Sequence, residues 1–154
     1  SDYTVNELKL DGENTISNDG MSAGALQSYQ HEIPKATLTF IDSLSHTPYQ
    51  WESAKTFVHV AGRGTVQDFT DDIFEISGTS SGVDVNGYSF SASTNESLGD
   101  YFNCRWIRTG ITILGIEGTD INSGYIDYIG EDTCTNQVLY YFNGNPFYDK
   151  FDLH

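Results

Sequence analysis

Basic residues and long apolar runs are scarce in this chain of 154 residues. Lysine and arginine number 7 against 22 aspartates and glutamates, which gives a formal net charge of −15. A surface this negative repels phosphate backbones and anionic headgroups, which argues against nucleic-acid binding and electrostatic membrane docking. No apolar stretch of about twenty residues is present to span a bilayer as a helix. No hydrophobic signal precedes Ser1 either, so we expect the chain to begin at a mature or trimmed end.

Cysteine is also scarce, with only Cys104 and Cys134 in the chain. In an oxidising compartment such a pair is predicted to form a disulfide, which stabilises the fold by closing a loop. The alternative is two independent buried thiols in a reducing cell. No C-x-x-C or H-x-x-x-H spacing accompanies the two residues, so the sequence does not indicate a zinc site.

Aromatic residues and glycine are abundant, with 9 Phe, 10 Tyr, 2 Trp and 15 Gly. Flat and branched side chains pack well on a pleated surface, so this composition is typical of strands and turns rather than long helices. The length fits one domain covering residues 1–154, and no linker or repeat divides it.

The segment Val83–Ala92 predicts a β-hairpin. Its apolar and polar residues alternate on either side of Asn86-Gly87, which suits a two-residue type I′ turn and places Val83, Phe90 and Ala92 on one face. Phe74 and Ile76 are out of phase with Val83, so we expect a bulge or break between Gly78 and Gly82.

Further strands are expected over most of the chain. Residues 18–30, rich in Gly, Ser and Ala, are predicted to form a loop with at most one helical turn. The candidate strands cover 4–16 (a hairpin), 36–41, 54–60, 101–107, 111–117, 121–129, 135–142 and 147–153. About nine or ten strands at short spacing predict an all-β, antiparallel β-sandwich or strongly bent barrel joined by short hairpins.

The segment Gly78–Gly82 matches the G-x-S-x-G pattern of a hydrolase nucleophile elbow. That motif needs a strand before the serine and a helix after it, whereas a strand-forming segment follows here. We therefore expect a turn or bulge, and we do not expect an enzyme. A small hydrolase using Ser80 and Glu75 is the least favoured alternative.

Histidines and carboxylates give no defined metal site. The four histidines lack ligand-like spacing and are predicted at the surface; they are His31, His46, His59 and His154. Asp71 and Asp72 are the candidate calcium ligands, but no D-x-D-x-D-G loop occurs. We expect no cofactor, with calcium as the alternative.

A binding platform is predicted from Tyr49, Trp51, Tyr140 and Tyr141, because flat rings stack on sugar faces and contact protein partners. Core packing of the same rings is the alternative.

Residues 71–144 carry four motif pieces: Asp71–Gly82, Asn86-Gly87, Cys104–Gly110 and Gly130–Cys134. In this order the pieces resemble the motifs of a family of secreted proteins and outer-membrane lipoproteins of Bacteroidota. The resemblance implies an all-β fold, export, and attachment to the outer membrane through a lipidated cysteine, with which Ser1-Asp2 is compatible. It implies no enzymatic activity.

These observations lead to two functional expectations. The first is a non-enzymatic cell-surface or periplasmic protein that acts through protein contacts, as an outer-membrane lipoprotein or an accessory subunit of a surface complex. Its only membrane contact is an N-terminal lipid anchor. The alternative is a carbohydrate-binding module, with or without calcium.

Overall fold

The computed structural model describes residues 3–5, 8–18, 26–40, 48–65, 67–118, 123–130, 134–143 and 145–150. These residues form eleven strands and no helix: β1 (Tyr3–Val5), β2 (Leu8–Gly12), β3 (Thr15–Asn18), β4 (Gln27–Phe40), β5 (Tyr49–Ala61), β6 (Ile73–Val83), β7 (Ser89–Tyr101), β8 (Ile107–Ile116), β9 (Ser123–Tyr128), β10 (Gln137–Phe142) and β11 (Asn145–Lys150). Accordingly, this part of the chain has no helix that is long and apolar enough to cross a bilayer.

All the strands belong to one antiparallel sheet in the order β1-β2-β4-β5-β6-β7-β8-β9-β10-β11, with β3 paired to β4 beside β2. From β4 onward each strand pairs with the next along the chain, so the sheet is a meander. The all-β, antiparallel prediction is confirmed. The sheet is not closed, because β1 and β11 end its strand order, and the described residues give eleven strands rather than nine or ten.

The pairing register separates two chemically different faces, because side chains alternate along each strand and paired residues share a side. We call one the aromatic face; its larger members are Tyr29, His31, Tyr49, Trp51, Phe57, His59, Phe74, Ile76, Phe90, Leu98, Leu114, Ile116, Ile126, Tyr140 and Phe142. We call the other the acidic face; its carboxylates are Asp11, Glu32, Glu52, Glu75, Glu96 and Asp127. Among the seven acidic residues of β2 to β10, Asp100 alone lies on the aromatic face.

The sheet buries little of its apolar face. The described apolar residues that are buried are Ala36, Ile76, Cys104 and Val138. Among the larger members of the aromatic face, His59 and Ile76 are buried and the others are only partly buried. The aromatic face therefore stays half-exposed over most of its extent.

The predicted hairpin is present, but its turn and register differ from the prediction. The loop contains three residues, Val85 to Gly87, and Gly87 alone among them has a positive φ, of 85°. The Asp84 carboxylate accepts hydrogen bonds from the backbone N–H groups of Asn86 and Tyr88, at 2.8 and 2.9 Å. Val83 consequently pairs with Ser89, so Val83 lies on the acidic face, opposite to Phe90.

Two other segment predictions were wrong. Residues 27–30, predicted as loop, form the first part of β4, which continues through Pro34 at a register shift between Ile33 and Ala36. Residues 102–106, predicted as strand, form the loop between β7 and β8. Residues 121–122 and 151–153, which were assigned to predicted strands, lie outside the described residues.

The irregularity predicted between Gly78 and Gly82 is not there: the register shift in the pairing with β7 lies between Ile76 and Thr79. It does not change which side β6 residues occupy along the strand. The Gly78 N–H donates to Thr94 Oγ1 at 2.5 Å, and the Thr94 hydroxyl donates back to the Gly78 carbonyl at 3.0 Å. Gly78 has φ of 141°, and a Cβ there would collide with the Ala54 carbonyl oxygen. Only glycine fits this position without strain.

Replacing Gly78 by alanine is expected to lower the free energy of unfolding by about 2 kcal/mol, because the new Cβ must displace backbone at a φ that L-residues avoid. Urea unfolding followed by circular dichroism measures the change. Gly64→Ala is the matched control, since Gly64 has open space around its Cβ position, and it should change stability by less than about 0.5 kcal/mol. Equal effects of the two substitutions would contradict this account of the bulge.

The predicted disulfide is confirmed. Cys104 and Cys134 are bonded, with their Cα atoms 5.4 Å apart. Cys104 lies in the loop after β7 and Cys134 in the connection between β9 and β10, so the bond ties two loops together across β8 and β9.

Candidate binding surface

A buried histidine–aspartate pair supports one end of the aromatic face. His59 Nε2 donates to Asp72 Oδ1 at 3.0 Å, and both residues are buried. The His59 ring stacks on Phe74 with centroids 4.5 Å apart and planes 15° apart. The prediction that His59 is a surface residue was therefore wrong, because its ring packs between these two partners. His46 and His154 lie outside the described residues.

The two candidate calcium ligands have separate protein partners. The Asp72 carboxylate accepts from His59, whereas both carboxylate oxygens of exposed Asp71 lie 2.8 Å from the Thr65 hydroxyl. Within the described ranges, no group of three or more His, Cys, Asp or Glu side chains is arranged to hold a metal ion. In this structure both carboxylates therefore accept hydrogen bonds that hold the loop before β6.

Above the histidine–aspartate pair the aromatic face opens into a groove of about 350 Å³, which we call the aromatic cleft. Its lining residues are Ile16, Tyr29, His31, Phe57, Phe74, Asp100 and Phe102. This volume is within the range of small-ligand sites, and the predominance of rings is typical of such sites.

Neighbouring rings shape the cleft by tilted contacts. The Tyr29 and Phe74 centroids are 6.4 Å apart, and those of His31 and Phe57 are 6.3 Å apart. The His31 ring is oriented by a 2.7 Å hydrogen bond from its Nε2 to the Asn14 amide oxygen. Phe102 is 62% exposed, so this ring forms an open wall rather than part of a core.

Asp100 is the acidic group of the cleft. It lies directly opposite Phe74 in the β6–β7 ladder, and partial burial raises the pKa of its carboxyl group above the ordinary value. No hydrogen-bond donor or cation of the described residues contacts this carboxylate. None of the cleft-lining residues is a lysine or an arginine. Lys55 lies on this face, opposite His31 in the β4–β5 ladder, and lines a separate depression over Gly78.

The sequence did not identify the cleft. Tyr29 and His31 fell in or next to a segment predicted as loop, while Phe57 and Phe74 were expected only as strand residues. The available signal was the period-two placement of rings at 29 and 31 and at 57 and 59, which becomes informative only once β4 and β5 are paired.

The four aromatic residues predicted as a binding platform do not form one. Tyr49 and Trp51 lie together on the aromatic face of β5, with ring centroids 5.5 Å apart. Tyr140 lies on the same face of β10, five strands further along the sheet. Tyr141 lies on the opposite face, stacked on Tyr125 at 4.3 Å. The structure thus brings together only the first pair.

Tyr49 also stacks on Phe90 at 5.5 Å with an interplanar angle of 17°. Burial, followed by the nearby negative charge of Asp84, raises the pKa of the Tyr49 hydroxyl. Tyr49, Trp51 and Phe90 form a second half-exposed ring cluster on the aromatic face, at the end of β5 opposite to the cleft.

The G-x-S-x-G segment lies inside β6 and is not a nucleophile elbow. The Ser80 hydroxyl is 3.0 Å from the Ser53 hydroxyl of the neighbouring strand. Glu75, the other hydrolase candidate, lies on the acidic face, whereas Ser80 lies on the aromatic face. These two side chains therefore cannot act on one substrate atom.

Comparison with protein-family models, curated proteins and solved structures found no match to this chain. The function is therefore inferred from the geometry and chemistry of the two faces.

Proposed function

We propose that this chain is a non-enzymatic binding module that contacts a protein partner through its aromatic face. The observation that supports this most is the separation of the faces: rings cover one side of the sheet, and six of the seven acidic residues of β2 to β10 lie on the other. Most large side chains of this face are only partly buried, and a partner would cover the area that they leave exposed.

Charge favours a basic partner over a second copy of the chain. Each copy carries a net charge of −15, so electrostatic repulsion opposes the association of two copies. A positively charged protein is instead attracted over long range. The acidic face would guide the approach of such a partner, and the aromatic face would supply the apolar contact area.

A carbohydrate-binding module is the second candidate, because Tyr49, Trp51 and Phe90 are half-exposed rings on one face. A sugar platform needs rings lying side by side in one plane. Here Tyr49 stacks on Phe90 and is tilted by 47° from Trp51. This arrangement favours protein contact over sugar stacking.

We place the protein outside the cytoplasm, at the outer membrane, the cell surface or the periplasm, as a lipoprotein or an accessory subunit of a surface complex. The disulfide supports an oxidising compartment. Cell fractionation, with the intact mass of the purified protein, tests both the location and an N-terminal lipid.

The proposed contact is tested with a photo-cross-linking phenylalanine analogue placed at Trp51 or, as the matched control, at the adjacent Glu52. These neighbours lie on opposite faces of β5. Irradiation in the cells that make the protein should give an adduct with one other protein of basic composition at position 51 and none at position 52. Adducts at position 52 alone, or an adduct of two copies of this chain, would overturn the proposal.

A further inference from the structure

The aromatic cleft combines two features that require a particular kind of occupant. It is lined mainly by rings, and its one carboxylate, that of Asp100, is partly withdrawn from water without a partner among the described residues. A desolvated, unpaired carboxylate is unfavourable unless a cation approaches it. Aromatic faces attract the same cations through their negative ring surfaces.

We propose that the aromatic cleft binds an arginine side chain of the basic partner, with the guanidinium against the Asp100 carboxylate and its plane against the rings. This inference rests on the proposed function and names the chemistry by which the partner is recognised. Arginine fits better than lysine, because its flat guanidinium stacks on rings and presents paired N–H donors to a carboxylate.

The surroundings of the cleft agree with this occupant. Phe57 and Phe74 lie on adjacent strands, Tyr29 faces Phe74, and Phe102 forms the exposed wall. His31, which also lines the cleft, already donates to Asn14. The acidic net charge of the chain raises the local concentration of a basic segment near the cleft.

The test uses N-acetyl-arginine methylamide as the probe and its citrulline counterpart as the uncharged control of the same shape. Titration of the ¹⁵N-labelled protein, followed by amide chemical shifts, should give saturable changes at Tyr29, Phe57, Phe74 and Asp100 with the arginine probe. Citrulline should bind at least about tenfold more weakly, since it offers no charge to the carboxylate.

Asp100→Asn should weaken binding of the arginine probe by about tenfold, because the charge-assisted contact is lost. The variant should unfold at the same or a higher urea concentration, since a partly buried charge has been removed, and this result separates lost binding from lost folding. Glu75→Gln is the matched control: it removes an exposed charge on the acidic face and should leave binding unchanged.

The inference is overturned if citrulline binds as tightly as arginine, if Asp100→Asn binds normally, or if the shifts map away from the cleft. If any of these results is obtained while the cross-link at position 51 persists, the arginine site is disproved and the proposed function is not. Loss of that cross-link with intact arginine binding would instead remove the proposed function.

Discussion

Removing the Cys104–Cys134 disulfide is expected to lower the free energy of unfolding by about 3.5 kcal/mol, the largest effect we expect from any single bond in this chain. The bond closes a loop across a sequence separation of 30, which restricts the unfolded chain. It also ties the loop after β7 to the β9–β10 connection, in a sheet whose described residues include few buried apolar side chains. Little hydrophobic stabilisation is available to offset the loss.

The measurement is urea unfolding of the wild-type protein with and without reductant, beside the double variant Cys104→Ser and Cys134→Ser. Wild type should lose stability on reduction and approach the double variant, while the double variant itself should not respond to reductant. The slope of free energy against urea should rise on reduction, because an unlinked chain exposes more surface. An unchanged wild-type midpoint after complete reduction would show that the bond contributes no stability.

The features predicted well from the sequence are those determined by the local alternation of apolar and polar residues and by the small number of cysteines. With two cysteines in the chain, an oxidising compartment permits a single pairing, and the structure contains it. Alternating rings and polar residues predicted an antiparallel all-β fold, which is present. These predictions needed no knowledge of which strands are neighbours.

Register and strand extent were harder to predict, because they depend on interactions beyond the local pattern. Asn86-Gly87 suggested a two-residue turn, but the Asp84 carboxylate stabilises a three-residue loop and moves Val83 to the acidic face. The first part of β4 has a polar sequence, and Pro34 follows it in the same strand. It extends as a strand because Pro34 sits at the register shift, where a missing N–H is tolerated.

The cleft escaped prediction for the same reason. Asp100 and Phe74 are far apart in sequence and become neighbours only through the β6–β7 register. His59 was read as a surface residue because nothing near it in sequence requires burial, whereas Asp72, on the far side of a loop, provides its partner. The chemistry of the candidate site is thus a property of strand pairing.

The His59–Asp72 pair gives the second large expected effect. Asp72→Ala should lower the free energy of unfolding by about 3 kcal/mol, because it leaves a buried imidazole without its hydrogen-bond acceptor. Asp71→Ala is the matched control: the neighbouring carboxylate is exposed, and its loss should cost less than about 1 kcal/mol. Urea unfolding of the two variants gives the comparison.

A double-mutant cycle then separates the pair from its surroundings. His59→Phe keeps a ring against Phe74 while removing the nitrogen that contacts Asp72. Combined with Asp72→Ala, it should be less destabilising than the sum of the two single changes, with a coupling of about 1 kcal/mol or more. Additive losses would mean that the two side chains stabilise the fold independently.

Because Phe74 both stacks on His59 and lines the aromatic cleft, Asp72→Ala should also weaken binding of the arginine probe, whereas Asp71→Ala should not.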